Sequence, residues 1–179
     1  MHRLFVAIRP PAAIRVQLLG LMQGVEGARW QGDDQLHLTL RFIGEVDRHR
    51  AADIADALAR ITSPMFTLAL HGVGSFDQRG RVNALWAGVQ PHDEVGRLHR
   101  SVDRACVNAG VAPDMRAYLP HITLARANRG TGPLDDFVAA HGGLSSPPFA
   151  VREFGLYESI LGSEGAVYHL AERYRLTER

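Results

Sequence analysis

The chain has 179 residues, enough for one domain with a sizeable core, and its 46% hydrophobic and 22% charged residues are those of a soluble globular protein. A net charge of +1 excludes the global basic field of a protein that grips a long nucleic acid, and no stretch approaches the roughly 18 apolar residues of a membrane-spanning helix. All 20 basic residues are Arg, so every basic site offers a planar fork suited to phosphate, and a lysine-dependent phosphate loop is ruled out.

Leu4 to Ile8 reads as a first strand, cut off by Arg9-Pro10-Pro11 and too short for a signal sequence. The two prolines open a helix with Ile14, Leu18, Leu21 and Met22 on one stripe, closed by Gly24 and Gly27. A short strand over Ala28 to Trp30 and a turn at Gly32-Asp33-Asp34 lead into a strand from Leu36 to Ile43. Asp47 is placed to cap a helix running to Arg60, and Phe66 to Val73 alternates as a strand. The polar stretch Gly74 to Gly80, containing Asp77-Gln78-Arg79-Gly80, reads as the loop joining two halves.

The second half follows a similar plan. Val82 to Val89 is a strand, and Pro91 opens a helix with Val95, Leu98, Val102 and Cys106 inward, closed by Gly110. The lone Cys106 reads as a small buried side chain. Arg116 to Tyr118 is a short strand, Pro120 to Arg126 a longer one, Asn128 to Pro133 a glycine-rich loop and Leu134 to Ala140 a short helix. Strands over Phe149 to Tyr157 and Val167 to Tyr174 end the chain, the last near a sheet edge.

Leu36-His37-Leu38-Thr39-Leu40 returns as Pro120-His121-Ile122-Thr123-Leu124. Nine His and six Thr in this chain give about 0.3 His-x-Thr triplets by chance, so two copies, each followed by Leu, carry information. On a strand the side chains alternate, which sends Leu38 and Leu40 to a core and leaves His37 and Thr39 side by side on the other face. His121 and Thr123 repeat that arrangement. The motifs lie 84 residues apart and Phe66 and Phe149 lie 83 apart, which predicts a duplication with halves near 1–79 and 80–179. The expected fold is α+β, a single domain of two pseudo-symmetric lobes of mainly antiparallel sheet, with outer helices around a central cleft.

Two imidazoles with ordinary pKa values near 6.5 can divide acid and base roles at neutral pH. That suits hydrolysis of a cyclic phosphodiester: one His takes a proton from water, the other protonates the departing ribose oxygen, and the hydroxyls of Thr39 and Thr123 donate to the non-bridging oxygens. The residues leave the two His roles interchangeable, and no metal or cofactor is required. A zinc site of His37 and His121 with Asp33 or Asp34 lacks any supporting ligand motif. Arg126 is the natural guanidinium for the phosphate, although strict alternation turns it away from His121 unless the strand ends or bulges after Leu124. Arg41 is the weaker candidate, on the catalytic face by alternation. Trp30, Phe42, Trp86, Tyr118 and Tyr157 are candidates for stacking a base. His71 can line the cleft but reads first as structural, and the remaining histidines read as solvated or structural.

These residues resemble the two-histidine phosphoesterases, and among them the RNA 2′,3′-cyclic phosphodiesterases, also called 2′-5′ RNA ligases. The resemblance covers nearly the whole chain and rests on Arg3 to Ile8, His37 to Val46, His121 to Arg126 and Leu156-Tyr157-Glu158-Ser159. It implies that His37 is the proton donor to the 3′ oxygen and His121 the base that activates water, leaving a 2′-phosphate. It implies RNA ends or nucleotides with a 2′,3′-cyclic phosphate as substrates. The rival readings are the reverse ligation, another cyclic nucleotide substrate, and an RNA-binding module without turnover. A cytoplasmic monomer without membrane association is expected.

Overall fold

A computed structural model describes residues 1–78 and 80–178, so Arg79, expected in the joining loop, lies outside the described residues. Strands β1 (His2–Ile8), β2 (Arg29–Trp30), β3 (Leu38–Val46), β4 (Phe66–Gln78), β5 (Arg81–Gln90), β6 (His121–Arg126), β7 (Phe149–Val151), β8 (Glu153–Gly162) and β9 (Gly165–Arg175) form one antiparallel sheet. Helices α1 (Ala12–Leu19), α2 (Arg48–Ala59), α3 (His92–Asn108) and α4 (Asp135–His141) accompany it. The order across the sheet is β7-β4-β5-β6-β3-β1-β8-β9, with β2 added beside β6. The expected α+β architecture is the one observed.

The two motif strands, β6 and β3, are neighbours in the middle of this order, with three strands on the far side of each. Each side draws on both halves of the sequence: β4 of the first half pairs with β5 of the second, and β8 of the second pairs with β1 of the first. The spatial lobes therefore exchange their outer strands and do not coincide with residues 1–79 and 80–179.

Apolar periodicity explains the helices. Ile54 and Leu58 of α2, and Val95, Leu98, Val102 and Cys106 of α3, are fully buried. Asp47 caps α2 as expected, its carboxylate accepting from the Arg50 amide at 2.8 Å. β9 closes the sheet as an edge strand.

Three elements differ from their expectations. The single strand expected over Phe149 to Tyr157 is two, β7 beside β4 and β8 beside β1, on opposite sides of the sheet. The stretch Gly74 to Gln78 is not loop but the outer part of β4, in register with β5 from Gly74↔Trp86 to Gln78↔Arg81. Gly74 to Phe76 lie opposite β5 residues that also pair with β6, and only Asp77 and Gln78, opposite Val82 and Arg81, extend past β6. Gly74 is required there, because a Cβ would lie 2.4 Å from the Trp86 ring. Arg116 to Tyr118 is not a strand: the Asp114 carboxylate accepts from the Arg116 amide at 3.1 Å, which turns the chain.

Candidate active site

The site begins where β3 and β6 touch. They share a single register pair, Leu38↔Ile122, the middle residues of the two His-x-Thr motifs. Both are fully buried, so the flanking His and Thr of each copy face the other way. There a cleft of about 750 Å³ opens, lined by His37, Thr39, His121 and Arg126 among others. The ends of the β4–β5 and β8–β9 hairpins wall it, through Phe76 and Gln78 on one side and Ala166 and Tyr168 on the other.

Both imidazoles are held by the same device. Nδ1–H of His37 donates to the Gln35 carbonyl at 2.7 Å, and Nδ1–H of His121 donates to the Leu119 carbonyl at 2.7 Å. A carbonyl only accepts, so in each neutral ring the proton is on Nδ1 and Nε2 is the basic atom. Nε2 of His37 accepts from the Thr39 hydroxyl at 3.0 Å. Gln35 is itself tied down, its side-chain amide donating to the Ala166 carbonyl of β9 at 2.9 Å.

Aromatic rings complete each setting. His37 lies 4.9 Å from Phe5 and 5.2 Å from Tyr168, the latter edge-on, and His121 lies 4.7 Å from Phe76 and 6.1 Å from Trp86 between ring centroids. These contacts disfavour the charged rings. Burial, with lesser contributions from the Arg126 and His121 charges, lowers the pKa of His37 to about 4. The pKa of His121 is lowered too, by burial first and then by Arg126.

Arg126 reaches the cleft through a bulge. Trp86 pairs with Thr123 and Leu85 with Ala125, so Leu124 is an extra residue on β6. Alternation resets there, burying Leu124 and Ala125 and exposing Arg126 on the face of His121. β3 carries the same bulge at Leu40, since Ala7 pairs with Thr39 and Val6 with Arg41. That bulge takes Arg41 out of alternation with Thr39; it still lines the cleft, but only 6% exposed. Its guanidinium meets Asp103 of α3 at 2.8 Å and Asp114 at 3.4 Å, and it also donates to the Ala112 carbonyl. Phe42 takes the place in β3 that Arg126 has in β6, and it lines the cleft with the Arg3 guanidinium 5.5 Å from its ring centre.

Thr123 is half-buried on the cleft side of β6, its hydroxyl without a protein partner among the described residues. Of the five aromatics proposed for stacking, Phe42 and Tyr118 line the cleft. Tyr118 is committed to structure as well, donating to the Thr39 carbonyl at 3.0 Å and lying flat on His99 at 3.8 Å. The other three are not among the cleft's lining residues. Trp30 packs on Phe137 of α4, Trp86 lies opposite Thr123 with its ring 6.1 Å from that of His121, and Tyr157 stacks on Phe5 at 5.4 Å. All three are half-buried, and Trp30 alone of them packs against the main core. His71 is exposed and bridged to Ser145, away from the cleft. Asp33 is engaged by Arg15 at 2.8 Å and Arg9 at 3.1 Å.

Sequence reasoning missed Phe5, Phe76, Tyr168 and His99. Period-two patterning shows that a residue faces outward but not which distant strand lies beside it. Phe76 was hidden by its polar neighbours.

The LigT-like phosphoesterase family model matches residues 8–86 and again 88–168. The chain belongs to the LigT-like phosphoesterase family. It is 32% identical over 169 residues to the RNA 2′,3′-cyclic phosphodiesterase of Archaeoglobus fulgidus, covering 93% of this chain and 96% of that one. It is also 32% identical over 187 residues to the Escherichia coli protein of the same name, covering 99% and 98%. The crystal structure of E. coli LigT complexed with 3′-AMP superposes with a TM-score of 0.82 at 31% identity, covering 99% of both chains. This LigT-like chain thus shares its fold along its whole length with that two-histidine phosphoesterase. Among its described residues no helix is long and apolar enough to cross a membrane.

Proposed function

We propose that this chain is an RNA 2′,3′-cyclic phosphodiesterase that opens a terminal cyclic phosphate to a 2′-phosphate. The observation that carries this reading is the pair of imidazoles, each with Nδ1–H fixed on a carbonyl so that Nε2 is the basic atom, in one cleft with the Arg126 guanidinium. Its relatives in A. fulgidus and E. coli bear that name.

In the proposed reaction, Nε2 of His121 takes a proton from water as the water oxygen attacks phosphorus. The P–O3′ bond breaks, and His37 delivers its Nε2 proton to O3′. His37 is neutral in the free protein at pH 7; the bound phosphate charge raises its pKa, so that the ring takes up from solvent the proton it then delivers. Protonation of Nε2 also ends its acceptance from Thr39. The freed hydroxyl then donates to a non-bridging oxygen, alongside Thr123 and Arg126. Phe42 is the face offered to the base.

Both motifs lie in one chain and complete one cleft, which supports action as a monomer. A cytoplasmic location is in keeping with a single, buried cysteine. The two separate matches of the family model support the duplication. The test is a short RNA ending in a 2′,3′-cyclic phosphate, incubated in EDTA with wild type, His37→Ala and His121→Ala. Conversion to a 2′-phosphate by wild type, with each variant slowed about 10²–10⁴-fold, is expected. Undiminished turnover in either variant, or a 3′-phosphate product, refutes the assignment.

A further inference from the structure

A second hollow, of about 1140 Å³, lies between the end of the β4–β5 hairpin, residues 127–133 and α4. It is continuous with the catalytic cleft, because Gln78 and Asn83 line both. Asn83 precedes Ala84, the register partner of Arg126, so the hollow begins where the phosphate-facing guanidinium ends. Arg81 and Arg129 are exposed on its rim, and the half-exposed Val138 and the nearly buried Leu134 give it an apolar floor.

The two ends of the cleft differ in how their charges are matched. At the end near α3, Arg41 is met by Asp103 and Asp114, and Arg116 by Asp114 at 2.8 Å. Arg3 sits there against Phe42. At the hairpin end the side chains of Gln78, Arg81, Asn83, Arg126 and Arg129 have no hydrogen-bond or ion-pair partner among the described residues. The carboxylates facing this path are Asp77 and Asp135. With Arg126 given to the cyclic phosphate, Arg81 and Arg129 remain on this path as guanidinium groups unpaired among the described residues, two donors for a second phosphate.

We propose that this hollow seats the nucleotide on the 5′ side of the cyclic-phosphate terminus, with its phosphodiester between Arg81 and Arg129. This deepens the phosphodiesterase reading and rests on it. The volume fits one more nucleotide rather than a long strand. The substrate is then an oligonucleotide end, preferred over a cyclic mononucleotide, and its 5′ chain leaves past Asn83.

The test compares kcat/KM for adenosine 2′,3′-cyclic phosphate and for a dinucleotide ending in a 2′,3′-cyclic phosphate. The readout is the ratio of the two. Wild type is expected to favour the dinucleotide by about tenfold or more, as one charge-assisted phosphate contact allows. Arg81→Ala/Arg129→Ala is expected to bring the ratio to near one, and Arg81→Glu/Arg129→Glu below one, while Arg116→Ala keeps the wild-type ratio. Equal kcat/KM values in wild type, or a ratio that collapses in Arg116→Ala and not in the hairpin variant, overturn the proposal. Calorimetric affinities for the 2′-phosphate products of the two substrates give a separate reading. If wild type turns over neither substrate, the phosphodiesterase assignment fails, and the presence or absence of tighter binding of the dinucleotide product still decides the hollow.

Discussion

Leu38 and Ile122 face each other as the single register pair joining β3 to β6. The middle residue of each motif is thus the seam of the molecule. Continuing the antiparallel register by one residue either way sets His37 opposite Thr123 and Thr39 opposite His121.

The pH–rate profile follows from the lowered imidazoles. The kcat/KM profile reports the free enzyme, in which His37 has a pKa of about 4 and that of His121 is also lowered. Both limbs of its bell are expected below pH 6.5. In the kcat profile, which reports the occupied site, both limbs move to higher pH because the bound anion favours the charged rings. A kcat/KM optimum above pH 7 contradicts this assignment.

Thr123→Val keeps shape and removes only a hydroxyl that has no protein partner among the described residues. A donor to developing phosphate charge is worth about 1.5–3 kcal/mol, so kcat is expected to fall about 10–100-fold with stability little changed. Single-turnover rates together with thermal melts separate this from a folding defect.

Acid lability is expected from His37. Its folded pKa lies below its unfolded value near 6.5, so between pH 6.5 and 4 the unfolded chain binds more protons and stability falls as pH falls. The contribution, at most about 3 kcal/mol, is present in full at neutral pH and lost by pH 4. Urea unfolding at pH 7 and pH 5 should differ less in His37→Gln than in wild type.

Arg41→Met is expected to destabilise by about 3–5 kcal/mol, because it leaves the carboxylates of Asp103 and Asp114 without their buried counter-charge. Arg41→Lys restores the charge but not the planar fork and recovers only part of the loss. Denaturant midpoints of the two variants measure the difference.

Gly74→Ala places a methyl 2.4 Å from the Trp86 ring, whose centroid lies 6.1 Å from that of His121. Overpacking of this kind costs about 1–3 kcal/mol. Activity is expected to fall with stability, and Gly74→Ala/Trp86→Phe should recover part of both. Melts and kcat/KM on the three proteins test it.

The sequence by itself determined the two His-x-Thr strands, the apolar faces of the helices, the Asp47 cap and the two-histidine character of the site. All of these depend on alternation within one element or on chemistry within a few residues. The tertiary structure decided what depends on a neighbouring strand. The bulges at Leu40 and Leu124 arise from register with β1 and β5, and they send Arg41 inward and bring Phe42 and Arg126 to the cleft. The rings around His37 and His121 come from β1, β9, β4 and β5, brought together by an exchange of outer strands. Burial by those rings lowers the two imidazole pKa values, and burial belongs to the assembled fold rather than to any stretch of the chain.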